Sequence, residues 1–393
     1  MSTLKEYTHK PLSGKTMTIG LVLFFLGVIG VALAFFDEPL RAKFNYLIMF
    51  AFLASLAVGS VFLIAIEYII GSDWSTPIRR IPEFYGKTLI FLLLAAIPLV
   101  FFIHDLYHWS HPEAVAADKI LKGKSPYLNE TFFIIRLFAV ILIWMLFHTL
   151  FTRNSQKQDE TGDQKLTSRN IKLSAPFIMI FAITISIGAI DWMMSLEAHW
   201  FSTIFGVYYF AGTMLTGLAF TTITAIYLKK NGYLHPAMKD DTFYSLGTLM
   251  FAFTVFWAYI AFSQYMLIWY ANLPEETFWL IDRSTGAWAN VSIGLIFIHF
   301  IFPFLLLLAR STKTNISILK VASVWLLVAH YYDLYWIVMP TYSKTNPPIG
   351  WMEFVFPLIP VGLALIVFSW QSKKKNLVPV KDPKLERGLK FHL

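Results

Sequence analysis

Three observations predict an all-α polytopic membrane protein. Hydrophobic residues fill 57% of the 393 positions and charged residues only 14%. That is too apolar for a soluble domain and too evenly so for a protein held by one anchor. Apolar runs of about 18 or more residues recur, each long enough to cross the roughly 30 Å hydrocarbon layer as a helix. The runs are continuous rather than alternating at every second position, which excludes a transmembrane β-barrel.

The elements follow in order. The first 16 residues, MSTLKEYTHKPLSGKT, are polar and basic, and the run at 17–36 is the first span. Asp37, Glu38 and Pro39 follow it instead of a small-residue cleavage site, so it reads as a retained span and not a signal peptide. Further runs lie near 44–70, 86–107, 130–151, 174–194, 203–228, 242–269, 289–309, 317–339 and 353–371, giving ten spans. The connections are mostly short, so neighbouring helices should lie antiparallel. The longest are 108–129 and 152–173, and the second, polar throughout, is expected to be mobile. The residues from 372 onward form a basic tail.

Charge sets the orientation. Of the 32 Lys and Arg, 24 fall at the N-terminus, the even-numbered loops and the tail, 7 at the odd-numbered loops, and one, Arg136, inside a span. The positive-inside rule then places both termini in the cytoplasm. The formal charge of +8 belongs to that cytoplasmic surface and implies no nucleic-acid partner. Trp109, Trp192, Trp200, Trp269, Trp279, Trp288, Trp336 and Trp351 gather at the opposite, outer end, whereas Trp74 and Trp370 mark the inner one. Two readings stand for this excess: an ordinary interfacial belt, or an outer surface that docks another protein.

Polar residues inside spans carry the chemistry, because each must face the bundle interior and find a partner. Near the outer end lie His104, Asp105 and His108 on the third span, Arg136 on the fourth, Asp191 on the fifth, Gln264 on the seventh, and His330 and Asp333 on the ninth. Arg136 is expected to pair with Asp191 or Asp333, or else to snorkel outward. His330 and Asp333 share a helix face, so the carboxylate is expected to fix the imidazole tautomer. The surrounding Tyr331, Tyr332, Tyr335 and Trp336 could wall a flat apolar ring or simply mark the interface. Glu67, His148 and His299 form a sparser inner set, read either as a proton route with the outer cluster or as separate structural hydrogen bonds. Proline within the spans, as at Pro98, Pro176 and Pro303, permits kinks and free carbonyls.

The missing chemistry is equally informative. With no cysteine, the chain can bind neither a thiolate-held iron–sulfur cluster nor a thioether-attached haem. Bis-histidine haem needs imidazoles at one depth on facing helices, and only His104 with His330 offers that. Any redox centres therefore belong to partner chains.

Two segments, DWMMSLEAHWFST (191–203) and FSQYMLIWYANLPEET (262–277), together with GSDWSTPIRRIPE (71–83), resemble the membrane subunits of alternative complex III, a quinol:cytochrome c oxidoreductase. Those subunits belong to the NrfD-type, polysulfide-reductase membrane-anchor superfamily. The resemblance covers nearly the whole chain, and its compact length is closer to the F-type subunit, the second quinone-binding subunit, than to the C-type. It implies two four-helix bundles, about 44–194 and 203–339, flanked by one outer span at each end. It also implies a C-type membrane subunit, a periplasmic multihaem cytochrome and an iron–sulfur subunit as partners, with electrons passing from menaquinol to cytochrome c or a terminal cytochrome oxidase. Haems and iron–sulfur clusters would sit in those partners, and the firmer quinol site in the C-type subunit. Asp191 and Gln264 carry over as polar elements of the outer bundle.

The expected function is thus a redox-complex subunit supporting menaquinol oxidation, with a quinol pocket or proton relay among His104, His108, Arg136, Asp191, Gln264, His330 and Asp333 and an inner route through Glu67, His148 and His299. The alternatives are a structural scaffold of such a complex, the quinol-oxidising anchor of a related molybdoenzyme, or an independent transporter. The last lacks the paired Gly/Pro helix interruptions of inverted repeats.

Overall fold

The computed structural model describes residues 10–392. The expectations for residues 1–9 of the N-terminal segment and for Leu393 fall outside that range. Among the described residues there is no strand, and ten helices are long and apolar enough to cross a membrane. In order they are Gly14–Asp37, Pro39–Ile70, Thr76–Leu106, Glu130–Thr161, Lys165–Trp192, Phe205–Lys230, Asp241–Ala271, Trp288–Leu308, Ile316–Tyr342 and Met352–Lys374. The protein is therefore an all-α, multi-pass membrane protein.

The second and sixth spans form the spine: 94% and 89% of their apolar windows are buried, against 56% or less for every other span. They lie close because Gly59 has no side chain. A Cβ there would come within 2.5 Å of the Thr213 carbonyl oxygen. The fifth and ninth spans pack against both members of this pair, the third and fourth complete the group on one side, and the seventh and eighth complete it on the other. The first and tenth spans pack on each other.

The eighth span is α-helical to Leu295, passes through a π-helical turn at Ile296–Ile301, and resumes as α-helix at Phe302. The cause is legible. In a π turn the carbonyl of Ile298 would accept from residue 303, which is proline and has no N–H. The Trp325 indole donates to that carbonyl instead, at 2.7 Å. The bulge rotates His299 into the bundle, where it is fully buried.

Several expectations need correction. The polar stretch 152–173 is not a mobile loop. The fourth span continues to Thr161 and the fifth begins at Lys165, with Gly162 in the left-handed region (φ 69°) making the turn. Gln, Lys and Glu favour helix, and the two extensions are tied by Gln158 to Thr167 at 2.7 Å and Asn154 to Asn170 at 2.8 Å. The connection 108–129 holds two short helices, Pro112–Ala117 and Lys119–Lys124. After the seventh span, Pro274 opens the amphipathic helix Pro274–Ser284. Five of the eight tryptophans assigned to the outer end, at 109, 192, 200, 279 and 288, are buried. Most of that aromatic excess is internal packing, and only Trp269 and Trp351 are exposed.

Beyond Lys374 the tail folds back on the bundle. Leu377, Val378, Leu385 and Leu389 are buried, while Arg387 meets Asp73 at 3.3 Å and His392 meets Asp241 at 2.8 Å.

Gly59→Leu should overpack the spine and destabilise the protein by about 1–3 kcal/mol or more. Gly14→Leu, where a Cβ meets nothing within 4 Å, should be neutral. Thermal unfolding in detergent compares the two, and equal midpoints would contradict the central role of the contact.

Candidate functional site

Polar side chains cluster at three depths. The middle cluster is the most unusual. His299 from the π turn and His330 and Asp333 from the ninth span bring their nitrogen and carboxylate atoms within 4.8 Å of one another, and all three residues are buried. His330 and Asp333 are three apart on one helix, which turns both side chains inward. The surroundings fix them. Tyr208 donates to Asp333 Oδ1, and the Trp257 indole donates to Oδ2 at 3.1 Å. His330 Nε2 lies 3.0 Å from the Ser55 hydroxyl on the second span, and the Tyr209 hydroxyl lies 3.1 Å from the same Ser55. His299 stacks on Trp257, with ring centroids 3.8 Å apart. The imidazole of His330 fits only because residue 212 is glycine, since a Cβ there would overlap its ring.

Three ring nitrogens are left without a protein partner: Nδ1 and Nε2 of His299 and Nδ1 of His330. A buried polar atom without a partner is expensive and normally avoided. The cluster thus keeps open hydrogen-bonding capacity among two imidazoles and a carboxylate. Both carboxylate oxygens already accept hydrogen bonds, and only three ligand-type groups converge, one fewer than a closed metal shell. The arrangement suits taking up and passing on a proton, directly or through water.

The end of the bundle remote from the chain termini holds the second cluster. Arg136 reaches Asp191 through Nε at 2.6 Å and Nη2 at 3.2 Å, and donates to the Tyr127 carbonyl at 3.0 Å. Of its expected partners it takes Asp191 and not Asp333, and it does not snorkel. Its guanidinium lies over Tyr127 and Phe132. Beside this pair is a cavity of about 510 Å³ lined by Tyr127, Met194, Ser195, Trp200, Phe201 and Lys124. Its volume and apolar walls fit a small-molecule site. Lys124 donates to the Ala198 carbonyl at 2.6 Å, and burial lowers its ammonium below the usual lysine range.

The two long motifs meet here. Gln264 is buried and accepts from Ser202 at 3.2 Å, and Trp279 stacks on Trp200 at 4.2 Å. Arg283 then clamps the Pro274–Ser284 helix, donating to the carbonyls of Trp336, Trp279 and Ile337. Burial pushes its pKa down to about 9, so it stays charged at neutral pH.

The third cluster sits at the end that carries the termini. Arg79 donates to Glu67 at 3.0 Å and to Asp382 of the folded tail. Arg80 donates to Glu83 and, at 2.6 Å, to Asp159. Burial alone would raise the Asp382 carboxyl, but the Arg79 guanidinium outweighs it and holds it below the ordinary carboxylate range.

Several sequence-derived groupings do not hold. His330 Nδ1 and Asp333 Oδ2 are 3.9 Å apart, too far for the hydrogen bond expected to fix the tautomer. Ser55 and Tyr208 take those roles. His299 belongs with His330 and Asp333, not with an inner set, because the π turn rotates it toward them. Glu67 is held by Arg79, and His148 by the Glu83 carbonyl at 2.8 Å. His104 and His108 are exposed. His104 lies 3.1 Å from Ser110 and makes no pair with His330. Tyr208, Tyr209, Trp257 and Ser55 were missed, since hydroxyls and indoles in apolar runs look like ordinary packing. Arg79, Arg80 and Glu83 lie in the 71–83 segment, and their three- and four-residue spacing announces the ion-paired helix turn they form. No family model matches this sequence, and a search of the curated proteins finds no match to it.

Arg136→Met should cost about 3–5 kcal/mol, because it strands the buried Asp191 carboxylate. Adding Asp191→Asn should recover much of that loss. Unfolding of the two variants in detergent measures the difference, and no recovery would show that the pair is not the stabilising unit.

Proposed function

We propose that the chain is a membrane subunit of a respiratory quinol:cytochrome c oxidoreductase of the alternative complex III type. In this reading its interior handles protons while partner subunits hold the haems and iron–sulfur clusters. The partners are a C-type membrane subunit, a periplasmic multihaem cytochrome and an iron–sulfur subunit, with a terminal cytochrome oxidase as an electron acceptor. The chain lies in a bacterial inner membrane with both termini in the cytoplasm.

The observation that carries the reading is the His299–His330–Asp333 cluster. Two imidazoles and a carboxylate with unused ring nitrogens, enclosed by helices, form a proton-holding site where hydrocarbon would otherwise exclude one. Support comes from the rest of the interior. The cavity beside Arg136 and Asp191 has the size and aromatic lining for a menaquinol head, with Lys124 and Ser195 as its polar groups. As a quinol gives up its electrons it also sheds protons, and a positioned imidazole or carboxylate is the usual acceptor. The lack of cysteine agrees with electrons leaving through another chain. A pure scaffold would need the interior polar groups only for packing, and three open ring nitrogens argue against that.

In the assembled complex, His330→Gln and Asp333→Asn should each slow quinol-dependent cytochrome c reduction, or the proton release coupled to it, by about 100-fold. Subunit composition should not change. Unchanged turnover and proton stoichiometry in an intact complex would reduce the chain to a scaffold.

A further inference from the structure

A groove of about 220 Å³ opens between the second and seventh spans and is floored by the sixth. It is separate from the cavity beside Arg136. Phe62, Ile66, Phe210, Leu249 and Phe253 make most of its wall, and Trp74 stands at the end nearer the chain termini. Its lining includes two polar groups that share one level. The second and sixth spans run in the same direction, with Gly59 against Thr213. Glu67 and Thr221 lie eight residues beyond those contacts, about 12 Å further along each helix.

Thr221 is the unexplained group. Its neighbours Thr216 and Thr222 donate back to carbonyls of their own helix at 2.9 and 2.8 Å. The Thr221 hydroxyl, 3% exposed, has no hydrogen-bond partner at all. Glu67 adds charge. The hydrogen bonds from Arg79 and Thr76 both fall on its Oε1. It belongs to a buried network in which Glu67, Glu83, Asp159 and Asp382 face only the guanidiniums of Arg79 and Arg80, with Lys384 beside Asp382 at the edge. Arg79 lines the groove beside Glu67, and the network as a whole holds four carboxylates against two guanidiniums.

We propose that this groove binds an ethanolamine-type phospholipid. One acyl chain lies along the phenylalanine wall, the primary ammonium donates to Glu67, and the Thr221 hydroxyl donates to an ester or phosphate oxygen. The chemistry selects this class. A head with net negative charge meets surplus carboxylate, a choline head has no N–H to donate, and a hydroquinone brings no compensating charge. The site is independent of the quinol reading above.

The test is native mass spectrometry of the delipidated full-length protein, offered dioleoylphosphatidylethanolamine, the corresponding choline and glycerol lipids, and a menaquinol analogue. The ethanolamine lipid should bind about tenfold more tightly than the others, the scale of one hydrogen bond to a charged group. Glu67→Gln should remove that preference, Thr221→Val should weaken binding several-fold, and Leu249→Trp should abolish it. Leu249→Trp fills the groove without touching the ionic network, so it decides the matter even if Glu67→Gln fails to fold. Equal retention of the choline lipid, a preference for the glycerol lipid or the menaquinol analogue, or binding unaffected by Leu249→Trp would overturn the proposal.

Discussion

The close approach of the second and sixth spans is the constraint on which the rest of the molecule depends. Between membrane helices there is little hydrophobic driving force, so association rests on backbones coming near enough for dispersion contacts to accumulate. Gly59 against Thr213 permits this at the centre of the bundle. The same seam places Ser55 and Tyr209 around His330, and Gly212 leaves space for its ring. A bulkier spine would separate the groups of helices and dissolve the polar cluster that spans them. Stability and site geometry are in this respect one property.

A second constraint is that hydrocarbon leaves no buried charge unattended. At the remote end Asp191 answers Arg136, and at the end with the termini two arginines are answered by four carboxylates, one of them delivered by the folded tail. These ion pairs tie their helices, and the tail, to one another. The middle cluster differs in its groups: two imidazoles and one carboxylate, with three ring nitrogens that have no hydrogen-bond partner. In the proposed function it holds the mobile proton, and it is assembled from the spine, the π turn and the ninth helix together.

The sequence made much of this legible, for physical reasons. Span number and class followed from apolar run length, which the bilayer thickness dictates directly. The Arg136–Asp191 pair was within reach because an intramembrane charge has so few permitted partners. What stayed hidden depends on features that hydropathy does not encode. The helical extensions across 152–173 rest on polar helix formers tied by Gln158–Thr167 and Asn154–Asn170, and composition alone reads such residues as loop. The place of His299 depends on a π turn fixed by Pro303 and a distant tryptophan. Tryptophans counted as an outer belt turned out to be core, because an indole at a helix end packs inward as readily as outward.

The central claim is that Asp333, with its two histidine neighbours, gains and loses a proton as quinol is oxidised. Redox-triggered infrared difference spectroscopy of the purified complex, on wild type and Asp333→Asn, tests it most directly. The account predicts a carboxyl C=O band that appears on turnover, shifts in heavy water and is missing from the variant. The same carboxyl signal in both proteins, or none in either, would contradict it.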